Sequence, residues 1–148
     1  MPAQKTQTKK TQTKKTRKKT KPTTPRDNRP PVAIGHVRIE SHDVGGAIDF
    51  FKALGLRDIF RGDRFGVLEL RGGTHLIVSG RDKPIRKGTP ALFDIMVDDI
   101  DAAHRKYGKK NFAPSEITSG SIHSSFFISA PSGHKLKITS SHAGRRAV

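Results

Sequence analysis

The sequence predicts an α+β domain made of two tandem βαβββ modules, and three observations carry that prediction. The order strand, helix, strand, strand, strand can be read twice between residues 33 and 142. The helix-start residues Asp43 and Asp99 lie 56 positions apart and the closing-turn residues Gly73 and Gly133 lie 60 apart, the mark of a duplicated supersecondary unit. Apolar periodicity begins only near Ile34, so the folded part is short enough for one domain and long enough to bury a core.

In the first module, His36–Ser41 alternates Val37 and Ile39 against His36, Arg38 and Glu40, the pattern of a half-buried strand. Asp43 can cap a helix, because its carboxylate can accept from the free N–H groups of the first turn. Val44, Ala47, Ile48, Phe51 and Leu54 follow at helical spacing, and Gly55 supplies the stop. Strands are expected over about 57–62, 65–71 and 74–79, broken by Gly62-Asp63 and by a hairpin turn at Gly72-Gly73. A connection over 81–90, with Gly88, Pro84 and Pro90, joins the modules.

In the second module, Leu92–Val97 alternates Phe93, Ile95 and Val97 against Leu92, Asp94 and Met96. Asp98 or Asp99 caps a helix with Ile100, Ala103 and Tyr107 on one face, stopped by Gly108. Strands over about 115–119, 124–129 and 134–140 complete the repeat. Strand parity divides the sheets: Val37, Ile39, Leu76, Val78, Phe93, Ile95, Val97, Leu136 and Ile138 should face the helices. The other face carries His36, Arg38, Glu40, His75, Ile77, Ser79, Leu92, Asp94, Met96, Lys135, Lys137 and Thr139, too polar to be core.

Charge is segregated as sharply as hydropathy. The 148 residues carry a formal net charge of +16. Residues 1–32 hold 11 Lys and Arg against one acid, Asp27; the remainder holds 18 against 12. Lys5-Thr-Gln-Thr-Lys9 recurs as Lys10-Thr-Gln-Thr-Lys14. With almost nothing apolar to offset ordering entropy, residues 1–32 are expected to be a disordered Lys/Thr-rich tail, and 143–148 a flexible C-terminus. Lys9, Lys10, Lys14, Lys15, Arg17, Lys18, Lys19 and Lys21 form a candidate tether for nonspecific nucleic acid through counterion release. The tail has no aromatic residue to stack on bases, and simple solubilisation explains the same charge.

Several chemistries are excluded or lack their pattern. No Cys is present, which removes disulfides, thiolate ligands and a cysteine nucleophile. No apolar run reaches the length of a membrane helix, and no apolar stretch follows the basic residues as a secretory signal requires. A cytoplasmic protein is expected, with nuclear or nucleoid association through the tail as the alternative. The serines of 117–132 lack a Gly-x-Ser-x-Gly context, and no phosphate-binding glycine motif occurs. Glu40 and Glu69 are candidates for a carboxylate pair, with Arg38 as the plainer neutralising partner of either.

Ile34-Gly-His36-Val-Arg-Ile-Glu-Ser-His-Asp43, leading to Ala47-Ile-Asp-Phe-Phe51 and Leu54-Gly55, resembles the opening of the vicinal oxygen chelate superfamily, which includes glyoxalase I, extradiol dioxygenases and bleomycin-resistance proteins. Val97-Asp-Asp-Ile-Asp-Ala-Ala103 resembles the start of its second module, and Ala130-Pro-Ser-Gly-His134-Lys-Leu-Lys-Ile138 its closing turn and strand. The resemblance implies a cupped mixed sheet with the helices on its outer face, so that the polar face lines a pocket.

Metal-dependent members hold one divalent ion with His or Glu from the first, fourth, fifth and eighth strands. By resemblance these positions are His36, Ile77, Leu92 and Lys137. Ile and Leu offer no lone pair and an ammonium repels the ion, so no metal or other cofactor is expected. The alternative is a shifted divalent-metal site of His36, His75 and Glu69, with Asp94 nearby, in a lyase or dioxygenase of the same superfamily. The favoured expectation is a metal-independent binder of a small, anionic molecule through His36, Arg38, Glu40, His75, Asp94, Lys135 and Lys137. No catalytic residue is assigned. A homodimer is expected, as in many relatives.

Overall fold

The structure, a computed structural model, describes residues 31–141; the expected tail up to Pro30, its tether residues included, and the expected flexible segment 143–148 lie outside the described residues. The first module runs β1 (His36–Ser41), α1 (Val44–Leu54), β2 (Arg57–Arg61), β3 (Phe65–Glu69) and β4 (His75–Gly80). The second runs β5 (Thr89–Val97), α2 (Ile100–Lys109), β6 (Thr118–Ser119), β7 (Ser124–Ser129) and β8 (His134–Ser140). Each module folds into a four-stranded mixed sheet, in the orders β1-β4-β3-β2 and β5-β8-β7-β6. In each the first strand pairs parallel with the last, and the others pair antiparallel. The tandem βαβββ fold is therefore what the patterning predicts.

Both helices begin as expected. The Asp43 carboxylate accepts from the Gly46 N–H at 2.8 Å, and the Asp99 carboxylate accepts from the Ala102 N–H at 2.8 Å. Gly55 ends α1 at φ 125°, a conformation other residues resist. Gly108 does not end α2. The helix runs one residue further, and Asn111 at φ 59° takes the left-handed position that Gly108 was expected to fill. Asn tolerates that conformation, and its N–H still closes on the Gly108 carbonyl at 3.0 Å.

Three strand limits also differ. β3 ends at Glu69, because Arg71–Gly73 winds into one 3₁₀ turn with Gly72 and Gly73 at positive φ. β5 begins at Thr89, inside the expected connection: Thr89 and Pro90 pair with His134 and Lys135, and a bulge before Asp94 breaks the alternation that would have shown it. The expected strand over 115–119 is reduced to Thr118–Ser119. Ser115 still bonds to Phe127 through both its N–H and its hydroxyl, but Pro114 before it has no donor to extend the ladder.

One core serves both modules. α1 buries Ile48 and Phe51 completely against its sheet, and Leu68, Leu76 and Val78 close over them. Gly66 permits this approach, since a Cβ there would meet Ile48 Cδ1 at 2.4 Å. Phe126, Leu136 and Ile138 form the matching floor under α2. Phe50 of α1 packs at an incline against Phe112 with ring centroids 4.9 Å apart, and the buried Tyr107 hydroxyl donates to the Leu54 carbonyl at 3.1 Å. The modules are thus joined through their helices. Val37, Phe93 and Val97, expected in the core, are only half-buried at its margin.

Candidate functional site: the open face of the two sheets

The strand registers decide which polar side chains meet. His36 lies opposite His75 across the β1–β4 ladder, and their ring centroids are 5.6 Å apart. Arg38 lies opposite Ile77, and Glu40 opposite Ser79. On the other sheet Asp94 lies opposite Lys137, whose Nζ sits 4.0 Å from the carboxylate. Lys135 stands over the Phe127 ring at 4.2 Å. Ile77, placed on the polar face by parity, is only 6% exposed and makes that face partly apolar.

The carboxylates of this face are all engaged. Glu69 is bound by Arg57, Glu40 by Arg81 at 3.0 Å, and Asp94 by Lys137. Glu40 and Glu69 do not pair with each other: the register sets Glu40 beside Ser79 at one end of β4 and Glu69 beside His75 at the other. Nor does Arg38 neutralise either one. Among the described residues Arg38 has no ion-pair or hydrogen-bond partner, so its guanidinium is left free to take an outside anion.

The metal ligands implied by resemblance can be tested on the same geometry. His36 and His75 come together, and Glu69 pairs with His75 across β3–β4. The Glu69 carboxylate is nevertheless taken by Arg57, and Asp94, on the other sheet, carries an ammonium beside it. Among the described residues no group of three or more His, Asp or Glu is arranged to hold an ion. Arg57 on Glu69 and the Lys137 ammonium beside Asp94 compete with a divalent ion for these donors.

One polar pair was not foreseen. The Ser132 hydroxyl lies 3.0 Å from His134 Nδ1, and both residues are buried. Burial lowers the His134 pKa from its ordinary value; nearby Glu40 opposes this and Arg81 adds to it. The signal was present as Ser-Gly-His, where Gly133 at φ 96° folds the chain so that the serine meets the histidine two positions on. A side chain at Gly133 would also strike the Ile85 carbonyl at 2.5 Å.

No protein-family model matches this sequence, and no curated protein matches it. Solved structures do match. A lactoylglutathione lyase from Agrobacterium tumefaciens is similar over 77% of this chain and 97% of its own, at 16% identity and a TM-score of 0.63. A glyoxalase/bleomycin resistance protein/dioxygenase from Alicyclobacillus acidocaldarius is similar over 81% and 99%, at 20% identity and a TM-score of 0.61. A member of the same superfamily from Sphaerobacter thermophilus is similar over 74% and 98%, at 17% identity and a TM-score of 0.63. Such low identities speak for architecture rather than chemistry. With its two βαβββ modules and these neighbours, the chain has the vicinal oxygen chelate fold.

Proposed function

We propose that this protein binds a small anionic molecule on the open face of its sheets, without a metal ion. The observation that supports this is the charge pairing: Glu40, Glu69 and Asp94 are each held by a cation, while Arg38 is held by no acid among the described residues. Lys135 and Lys137 add positive charge on the second sheet, and His36 and His75 offer ring N–H donors on the first. Arg38 can grip a carboxylate or phosphate in two-point fashion, and the buried Ile77 opposite it excludes water from one side.

Calorimetric titration with inorganic phosphate tests the reading. Binding that weakens with salt and falls at least about tenfold in Arg38→Ala is expected, since a free guanidinium supplies a charge-assisted bond of about 1.5–3 kcal/mol. Unchanged binding in that variant overturns the assignment. Tight stoichiometric uptake of zinc, nickel, manganese or iron that is lost in His36→Ala would overturn metal independence.

We further read the chain as a cytoplasmic homodimer whose basic segment tethers nonspecific nucleic acid; among the described residues no helix is long and apolar enough to cross a membrane. Comparing full-length and 33–148 protein on duplex DNA checks the tether. Equal affinity and equal salt dependence would end it.

A further inference from the structure

β1 and β5 approach each other as the edges of two separate sheets, with no ladder between them. Along this seam lies a cavity of about 570 Å³, walled chiefly by Ile34, Val37, Leu70, Leu92, Phe93 and Met96. Three of these leave much apolar surface bare: Leu92 is 98% exposed, Ile34 66% and Met96 44%. Bare apolar residues scattered singly carry no meaning, but these converge on one concavity. Its volume lies within the range of roughly 300–1,000 Å³ usual for small-molecule sites.

The polar groups in the wall define what the cavity accepts. Arg71 gives two hydrogen bonds to Asp98, at 2.8 and 2.6 Å. Asp94 faces the Lys137 ammonium, and the Thr74 hydroxyl donates to the Ile34 carbonyl. Every charged or hydroxyl side chain in the wall therefore has an internal partner, in contrast to Arg38 on the open face. A charged ligand entering here would lose its hydration and find no free counter-charge. We infer that the seam cavity, which borders the open face at Leu92, Asp94 and Met96, is a second binding site, for an uncharged and mainly apolar small molecule. This inference does not depend on the anion reading of the open face.

The test uses the full chain and the neutral probe N-phenyl-1-naphthylamine, followed by fluorescence. Saturable binding of one probe per chain is expected, with affinity unchanged between about 0.05 and about 0.5 M salt because no charge is involved. Met96→Asp should weaken it at least about tenfold, by setting a carboxylate in the wall, and Met96→Leu should retain it. The Met96 side chain is 44% exposed, so neither variant removes a core residue. Failure of the probe to saturate, or equal binding in Met96→Asp, overturns the inference. So does probe binding that fades as protein concentration rises while Met96→Asp abolishes self-association, since the cavity would then be filled by a second copy. A parallel phosphate titration separates the two readings: loss of phosphate binding with probe binding intact sinks only the anion reading, and the reverse sinks only this one.

Discussion

The two modules share a topology and differ in what they contribute. The first module's helix is densely apolar: Ile48, Phe50, Phe51 and Leu54 are all buried. The second module's helix buries only Ala103 and Tyr107, and it borrows its anchorage from α1 through the Tyr107 hydroxyl. The open face is split in the same way. The first module brings the adjacent histidines and Arg38, which has no partner among the described residues, whereas the second brings a lysine already facing its own aspartate. A duplicated scaffold thus need not duplicate its work: both sheets feed one core, but the first helix is buried in it far more heavily than the second.

The comparison can be broken most severely at Phe51. Phe51→Ala should cost about 3–5 kcal/mol, because a completely buried ring leaves a cavity that a well-packed core does not refill. Chemical denaturation reads this as a fall in midpoint. Tyr107→Phe should cost less, about 1–2 kcal/mol, by stripping the Leu54 carbonyl of its partner while keeping the ring against Phe126. A loss no greater than that of an exposed substitution would mean that the modules do not depend on this bond.

The smallest effect concerns pH. His134 is held below its ordinary pKa by burial, so the unfolded chain binds its proton more readily than the folded one. The stability this neutral histidine contributes is complete above its unfolded pKa, about 6.5, and is lost as pH falls through and below that value. Denaturation midpoints should therefore drop between neutral and mildly acidic pH. The drop should shrink in His134→Gln, which keeps a polar group near Ser132 but does not titrate in that range. An unaltered slope would assign the pH dependence to other groups.

Much of this architecture was legible in the residues. Asp43, Gly55 and Asp99 announce helix ends because capping is a local bargain between a side chain and nearby N–H groups. Alternation in His36–Ser41 and spacing in α1 announce which face is buried. The errors fall where local signals compete: Gly108 lost its stop to Asn111, and the β5 bulge hid the strand's first residues. The pairing of charges was less legible still. Arg38 looked like the partner of Glu40 or Glu69, yet Arg81 and Arg57 take those roles from positions 41 and 12 residues away.

By itself, then, the sequence determined the tandem βαβββ order, the polarity of one sheet face and the absence of thiol chemistry, because these depend on residue type and on periods of 2 and 3.6. Only the tertiary structure decided which charges cancel and which stay free. Register brings Asp94 to Lys137 and leaves Arg38 beside Ile77. The unpaired edges of β1 and β5 open an apolar cavity that no run of residues foretells. Coulomb and hydrophobic contacts act across space, between groups that the chain keeps far apart.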